Sequence, residues 1–308
     1  MTEDELYAKL FSRLPAKPAD VVIPPGDDCA GIRFGPERVL LLAVDQTVGG
    51  RHYYETGPEA ATPDQVARKL LARNLSDIAA MGGNPKYALV AISQHCGAKW
   101  LDEFYNGLLG MAATFGVYPI GGDWATSSHE NICSLTIIGE VETARVTRRS
   151  GAKPGDRLFA TGKFGQSLPS GHHLTFTPRC REGKWLAHNR FAKAMIDVSD
   201  GLLLDARRLC SASNVSAAID PESVPLRTPD TTTQQALTDG EDYELIFAVA
   251  PDRAAELTNT WPFYDNVELT EIGHVLSPKT TVLTRPDGQP FEFNIQGYDH
   301  LCPPNTTG

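Results

Sequence analysis

Apolar residues fall along this chain in short unbroken runs and in helically spaced stretches, with turn-forming residues between them. Val39-Leu40-Leu41-Leu42-Ala43-Val44 is a continuous apolar run closed by Asp45, the pattern of a buried strand. Tyr87 to Ser93, Ile132 to Val141, Arg157 to Thr161 and Tyr243 to Val249 read the same way, and Val117 to Ile120 reads as a short strand leading into Gly121-Gly122-Asp123. Thr2-Glu3-Asp4-Glu5 is a capping box that predicts a helix to about Arg13. Thr62-Pro63-Asp64-Gln65 opens a second helix, with Pro63 in its first turn, that runs to Met81 and stops at Gly82, Gly83 and Asn84-Pro85. Further helices are predicted over Lys99 to Phe115, around Trp185 to Ala194, and from Gly201 to Ser211.

Pro15, Pro18, Pro24 and Pro25 impose an irregular stretch before Gly26-Asp27-Asp28. Ser150-Gly151-Ala152-Lys153-Pro154-Gly155-Asp156 is the clearest break in the chain. The boundary is therefore set there, giving an N-terminal unit 1–148 and a C-terminal unit 149–308. Helices and strands mix in both, so the class is α/β (or α+β) in two domains.

Composition narrows the function. The 308 residues carry a net charge of −10, from 28 basic and 38 acidic side chains. An acidic chain without a basic stretch is a poor nucleic-acid binder, because phosphate contacts need Lys and Arg. No run reaches the length of a membrane span, and the acidic start does not read as a signal peptide. Cys29, Cys96, Cys133, Cys180, Cys210 and Cys302 form no C-x-x-C pair, which points to reduced thiols in a cytoplasmic protein rather than zinc ligands.

The candidate chemistry lies in five acidic segments: Gly26-Asp27-Asp28, Val44-Asp45, Asn74-Leu75-Ser76-Asp77, Gly121-Gly122-Asp123 and Ile196-Asp197-Val198-Ser199-Asp200-Gly201. Singly, each has an ordinary explanation. Asp after Gly suits a turn, and Asp77 can pair with Arg73 one helical turn back. Together they point to a cation, since Asp45 and Asp197 end apolar runs where an unpaired carboxylate is costly. Magnesium is the natural cation, being shared commonly between carboxylates and substrate phosphates. Neither a P-loop nor a protein-kinase signature is present.

These segments, together with Gly50-Arg51-His52, Arg149-Ser150-Gly151, Gly240-Glu241-Asp242-Tyr243-Glu244-Leu245 and Gly297-Tyr298-Asp299-His300, resemble the thiamine-monophosphate kinase family, within the superfamily of aminoimidazole ribonucleotide synthetase. The resemblance spans nearly the whole chain. It implies transfer of the γ-phosphoryl group of ATP to thiamine monophosphate. It also implies a two-domain α/β fold whose N-terminal sheets pair across a homodimer. It assigns several magnesium ions to Asp28, Asp45, Asp77, Asp123, Asp197 and Asp200. The nucleotide falls to Gly122, Asp123, Arg149 and Ser199, with Tyr105 as a further candidate, and thiamine monophosphate to His52, Glu241 and Tyr298. No side chain acts as general base, because a phosphate monoester with a second pKa of about 6 is largely ionised at neutral pH.

The chain departs from the family pattern in three places. Ala43 and Val44 stand where many members carry hydroxyl residues that help bind metal; Gln166 follows Gly165 where Asp is usual; and the segment from Gly171 to Met195 is short. Two other functions remain open at this point: another ATP-using enzyme of the superfamily, or a non-catalytic homologue that binds nucleotide or thiamine phosphate.

Overall fold

A computed structural model of the chain describes residues 3–278 and 282–292. Its elements, in order, are α1 (Glu3–Phe11), β1 (Val21–Ile23), β2 (Ala30–Phe34), β3 (Arg38–Val48), α2 (Pro63–Ala80), β4 (Asn84–Gln94), α3 (Ala98–Phe115), β5 (Tyr118–Thr126) and β6 (Ile132–Glu142) in the first half. The second half holds β7 (Arg157–Thr161), α4 (His172–Thr175), α5 (Cys180–His188), β8 (Ala194–Asp197), α6 (Leu202–Ser213), β9 (Ser216–Ile219), α7 (Thr233–Thr238), β10 (Leu245–Val249), α8 (Pro251–Thr260), β11 (Leu269–Leu276) and β12 (Leu283–Thr284). The strands form two six-stranded sheets, ordered β1-β2-β3-β6-β4-β5 and β12-β9-β11-β7-β10-β8. The two-sheet α/β architecture agrees with the sequence reading.

Alternation decides which face of the first sheet is covered. Cys133, Leu135, Ile137 and Val141 of β6 are buried, as are Ala88, Val90 and Ile92 of β4, and they share a core with Leu70, Leu71, Leu75 and Ile78 of α2. The opposite face carries Leu42, Ile138, Tyr87 and Tyr118 in one cross-strand row and Val44, Thr136 and Leu89 in another. Val44 and Tyr118 on that face are 64% and 70% exposed.

Helix α2 packs against both halves. Its start is as predicted, with the Thr62 amide donating to Gln65 Oε1 at 2.9 Å and Pro63 in the first turn. Twelve of its eighteen residues are buried, more than one sheet can cover. The remainder packs on the second half, and the crossing with α5 is close. A Cβ on Gly183 would lie 2.1 Å from the Ala79 carbonyl oxygen.

Four expectations need correction. Asp45 does not end its strand, because β3 continues to Val48 as the partner of β6. Gly121-Gly122-Asp123 is not a turn but the middle of β5, where Gly122 lets the backbone approach Val90. The helix expected around Trp185 to Ala194 lies earlier, at Cys180–His188, and Ala194 already begins β8. The strand expected from Tyr243 begins at Leu245, because Glu241 and Tyr243 adopt left-handed φ values of 65° and 52°.

Candidate active site

Three carboxylates from distant parts of the chain converge. Asp28 comes from the turn between β1 and β2, Asp77 from the last turns of α2, and Asp197 from the end of β8. Each offers an oxygen within 4.8 Å of the others. Burial raises the Asp77 and Asp197 carboxyls well above their usual range, and mutual repulsion adds to it: Asp45, Asp197 and Asp28 act on Asp77, and Asp28 acts on Asp197. Oδ2 of Asp28 is buried without a hydrogen-bond partner among the described residues. Such a cluster asks for positive charge. Arg149 gives part of it, with Nη2 at 2.8 Å and Nε at 3.2 Å from Asp28 Oδ1. The Ser76 hydroxyl donates to Asp197 Oδ2 at 2.7 Å, so consecutive residues of α2 serve both halves of the cluster.

Beside the triad opens a pocket lined by Arg51, His52, Arg73, Leu168, Ser199, Asp200, Gly240, Glu241 and Tyr243. Four of the residues expected from the sequence, His52, Ser199, Asp200 and Glu241, therefore share one cavity. Glu241 is held by a fully buried lysine, with Lys69 Nζ donating to Glu241 Oε2 at 2.7 Å, to His173 Nδ1 at 2.9 Å and to the His52 carbonyl oxygen at 2.5 Å. Burial pulls the Lys69 ammonium down to about 8, and Glu241 opposes the shift. Burial would raise the Glu241 carboxyl, but Lys69 and Arg73 hold it below its usual value, so the pair is ionised at neutral pH. Burial and the neighbouring Lys69 lower His173 to about 4, which leaves its Nδ1 free to accept the lysine proton.

In the rest of the Gly240-to-Leu245 motif, Gly240 and Tyr243 line the pocket as well, and the side chains that follow Glu241 are tied into the fold. Asp242 pairs with Arg227 at 2.7 Å and receives the Gly165 amide, Tyr243 stacks on Phe176 with centroids 4.2 Å apart, and Glu244 takes a two-pronged contact from Arg179 at 2.5 and 2.6 Å.

The other expected residues are not part of the triad, although the Asp45 charge is felt at Asp77. Asp45 pairs with Arg73 at 3.3 Å, so the Arg73–Asp77 pairing open to the sequence is not the one formed. Asp200 is bound by Arg208, which also holds Asp205 at 2.8 Å and Asp4 at 3.3 Å. Gly122 and Asp123 stand exposed on edge strand β5, where the register sets Asp123 beside Ala91 on the sheet face turned away from α2. Tyr105 lies on α3 with its ring edge-on to Phe104. Tyr298 falls outside the described residues.

Sequence reasoning passed over Lys69, Ser76, Asp205 and Arg208. Asp205 is buried and accepts the amides of Ser199 and Asp200 at 3.0 Å each, fixing the turn that faces the pocket; burial and Asp200 raise it to about 6. A signal for the α2 residues did exist. Lys69, Arg73, Ser76 and Asp77 recur along α2 at spacings of three and four, so they share one face.

Comparison with known proteins places this architecture. Residues 26–141 match the family described as AIR synthase related protein, N-terminal domain, and residues 161–285 match its C-terminal domain. A thiamine-monophosphate kinase of Salmonella typhimurium is 32% identical over 330 residues, covering 98% of this chain and 99% of the relative. One from Rhodopirellula baltica is 34% identical over 318 residues, covering 97% of each. This chain belongs to the thiamine-monophosphate kinase family. A solved structure, AaThiL complexed with AMPPCP and TMP, superposes with a TM-score of 0.81 at 27% identity, covering 97% of each chain. Within this thiamine-monophosphate kinase fold, no helix among the described residues is long and apolar enough to cross a membrane.

Proposed function

We propose that the chain transfers the γ-phosphoryl group of ATP to thiamine monophosphate, giving thiamine diphosphate and ADP. The observation that carries this reading is the convergence of His52, Ser199, Asp200 and Glu241 on one pocket beside the Asp28–Asp77–Asp197 triad, in a chain of this family. A phosphate oxygen of the acceptor attacks the γ-phosphorus. The bond from that phosphorus to the bridging oxygen breaks, and ADP leaves with the electron pair. The acceptor is already an anion near neutral pH, so no side chain has to remove a proton. The barrier is electrostatic: two unit charges about 4 Å apart repel by about 4 kcal/mol at an effective dielectric near 20. Catalysis is then positioning plus charge stabilisation.

The triad fits magnesium. It offers hard oxygen donors, it includes no His or Cys, and one buried carboxylate oxygen lacks a hydrogen-bond partner among the described residues. When bound there, magnesium supplies the positive charge that lets two phosphates approach. Asp28, Asp77 and Asp197 are the first-choice ligands. Asp45, Asp123 and Asp200 follow on the family resemblance alone. Two of these three now pair with Arg73 and Arg208, and the third is exposed. Arg149 and Ser199, with Gly122, Asp123 and Tyr105, are assigned to the nucleotide. His52, Glu241 and Tyr298 are assigned to the thiamine side.

The working units are taken as 1–148 and 149–308, with the first forming a homodimer through its open sheet face. Val44, Tyr87, Leu89 and Tyr118 support that pairing, since an exposed apolar surface on a sheet seeks cover. The five described cysteines are free thiols, which supports a cytoplasmic setting.

The test is ADP release with thiamine monophosphate, thiamine, an aminoimidazole precursor and selenide, each with and without magnesium. Magnesium-dependent turnover confined to thiamine monophosphate is the expected result. Turnover on one of the other acceptors in its place overturns the assignment.

A further inference from the structure

The pocket contains a cation that the sequence reading paired elsewhere. Arg73 comes from the middle of α2 and is anchored at two points, Nη1 donating to the Gln46 carbonyl oxygen at 2.9 Å and Nη2 to Asp45 Oδ1 at 3.3 Å. The second contact is longer than a charge-assisted bond of this kind usually is, about 2.7 to 2.9 Å. Nε is buried and has no hydrogen-bond partner among the described residues. A guanidinium has five N–H donors in a fixed fork, and buried donors are normally satisfied. Arg73 also lines the pocket, and its two anchors use only one N–H on each Nη, so the fork keeps donors for an acceptor that enters there.

The charges around that pocket say what kind of acceptor fits. Arg51, His52 and Arg73 line it together with Asp200 and Glu241. Both carboxylates already have basic partners of their own, Asp200 in Arg208 and Glu241 in Lys69. Arg73 therefore keeps donors for a ligand, while Glu241 presents an acceptor in the same cavity. A ligand with a phosphate at one end and amine donors at the other matches both.

We propose that Arg73 grips the phosphate of thiamine monophosphate and so sets the preference for a phosphorylated over an unphosphorylated acceptor. The proposal rests on the kinase reading above and adds a substrate-binding residue to it. The anchors at Gln46 and Asp45 hold the fork in place before the ligand arrives, so little side-chain freedom is lost on binding. The same donor chemistry would suit the terminal phosphate of the nucleotide. The shared cavity with His52 and Glu241 favours the acceptor, and the experiment separates the two.

Thiamine monophosphate, thiamine and AMPPCP are titrated calorimetrically, with magnesium present, into the wild-type chain, Arg73→Gln and Arg73→Lys. Arg73→Gln is expected to weaken thiamine monophosphate at least tenfold while thiamine and AMPPCP stay within twofold. Arg73→Lys keeps the charge but not the fork, and is expected to recover part of the loss. Unchanged thiamine monophosphate affinity, or equal weakening of thiamine monophosphate and AMPPCP, overturns the proposal. If Arg73→Gln does not fold, the selectivity of the loss in Arg73→Lys decides by the same criterion. A wild-type chain that does not bind thiamine monophosphate overturns the kinase reading itself, an outcome distinct from failure of Arg73 alone.

Discussion

Asp27 and Asp28 are neighbours in one turn, yet their surroundings differ. Asp28 faces Arg149, whereas Asp27 accepts the Arg149 amide at 3.1 Å and is raised to about 6 by burial and by the Asp28 charge. In the fold Asp27 holds its proton above the pH at which the unfolded chain releases it. Its contribution to stability is therefore lost as pH rises from about 4 through about 6. Asn keeps the amide contact without the charge. Asp27→Asn should leave the melting temperature unchanged near pH 4 and raise it progressively towards pH 7, with a gain on the order of 2 kcal/mol. Thermal melts of both proteins across that range check the sign, and a gap that does not grow with pH counts against it. Asp77 and Asp197 are the stronger metal candidates because each is desolvated among like charges. Asp77→Asn and Asp197→Asn should each lower turnover at least a hundredfold and weaken magnesium binding by calorimetry, with the fold retained by circular dichroism. Normal magnesium affinity in either variant removes that residue from the ligand set.

Helix α2 shows how one element can serve two halves. Its apolar stripe fills the core under the first sheet, and its polar face carries Lys69, Arg73, Ser76 and Asp77 to partners in both halves. Lys69 is the costliest of these to change. Removing one member of a buried ion pair leaves an uncompensated charge, at about 3 to 5 kcal/mol. Lys69→Met should destabilise the protein by about that much, and Lys69→Met with Glu241→Gln should recover most of it. A double-mutant cycle by denaturant unfolding reads the coupling, and additive losses would show that the two side chains act independently. Gly183 supports the same helix from the other side, because only a residue without Cβ allows α5 to approach Ala79 so closely.

At the scale of the whole molecule, the described residues cover the first sheet on one face only. Its open face places Tyr87, Leu89, Val44 and Tyr118 in cross-strand rows at the surface. One of the departures from the family pattern, Val44 in place of a hydroxyl, adds to this apolar surface. Leu89→Asp, on the exposed side of β4, should convert a dimer to a monomer at micromolar concentration by light scattering without changing its circular dichroism. A wild-type chain already monomeric at that concentration would sink the dimer proposal.

The sequence determined the elements whose signals are local. The capping box at Thr62 and the apolar runs in β6 and β7 each carry their own start, stop or period, and the structure keeps them; the run in β3 also forms a strand, but one that passes Asp45 to Val48 and exposes Val44. Asp28, Asp77 and Asp197 were also legible as members of acidic motifs at glycine turns and element ends. Position along the chain could not say which carboxylates meet. Asp45 and Asp77 both end recognisable motifs, yet only Asp77 joins the triad, because the β3–β6 register turns Asp45 towards the guanidinium of Arg73. Lys69 and Glu241 lie 172 residues apart. No local pattern links them, and only the packing of α2 against the second half brings the ammonium to the carboxylate. The same packing buries both groups, and that burial makes their contact matter.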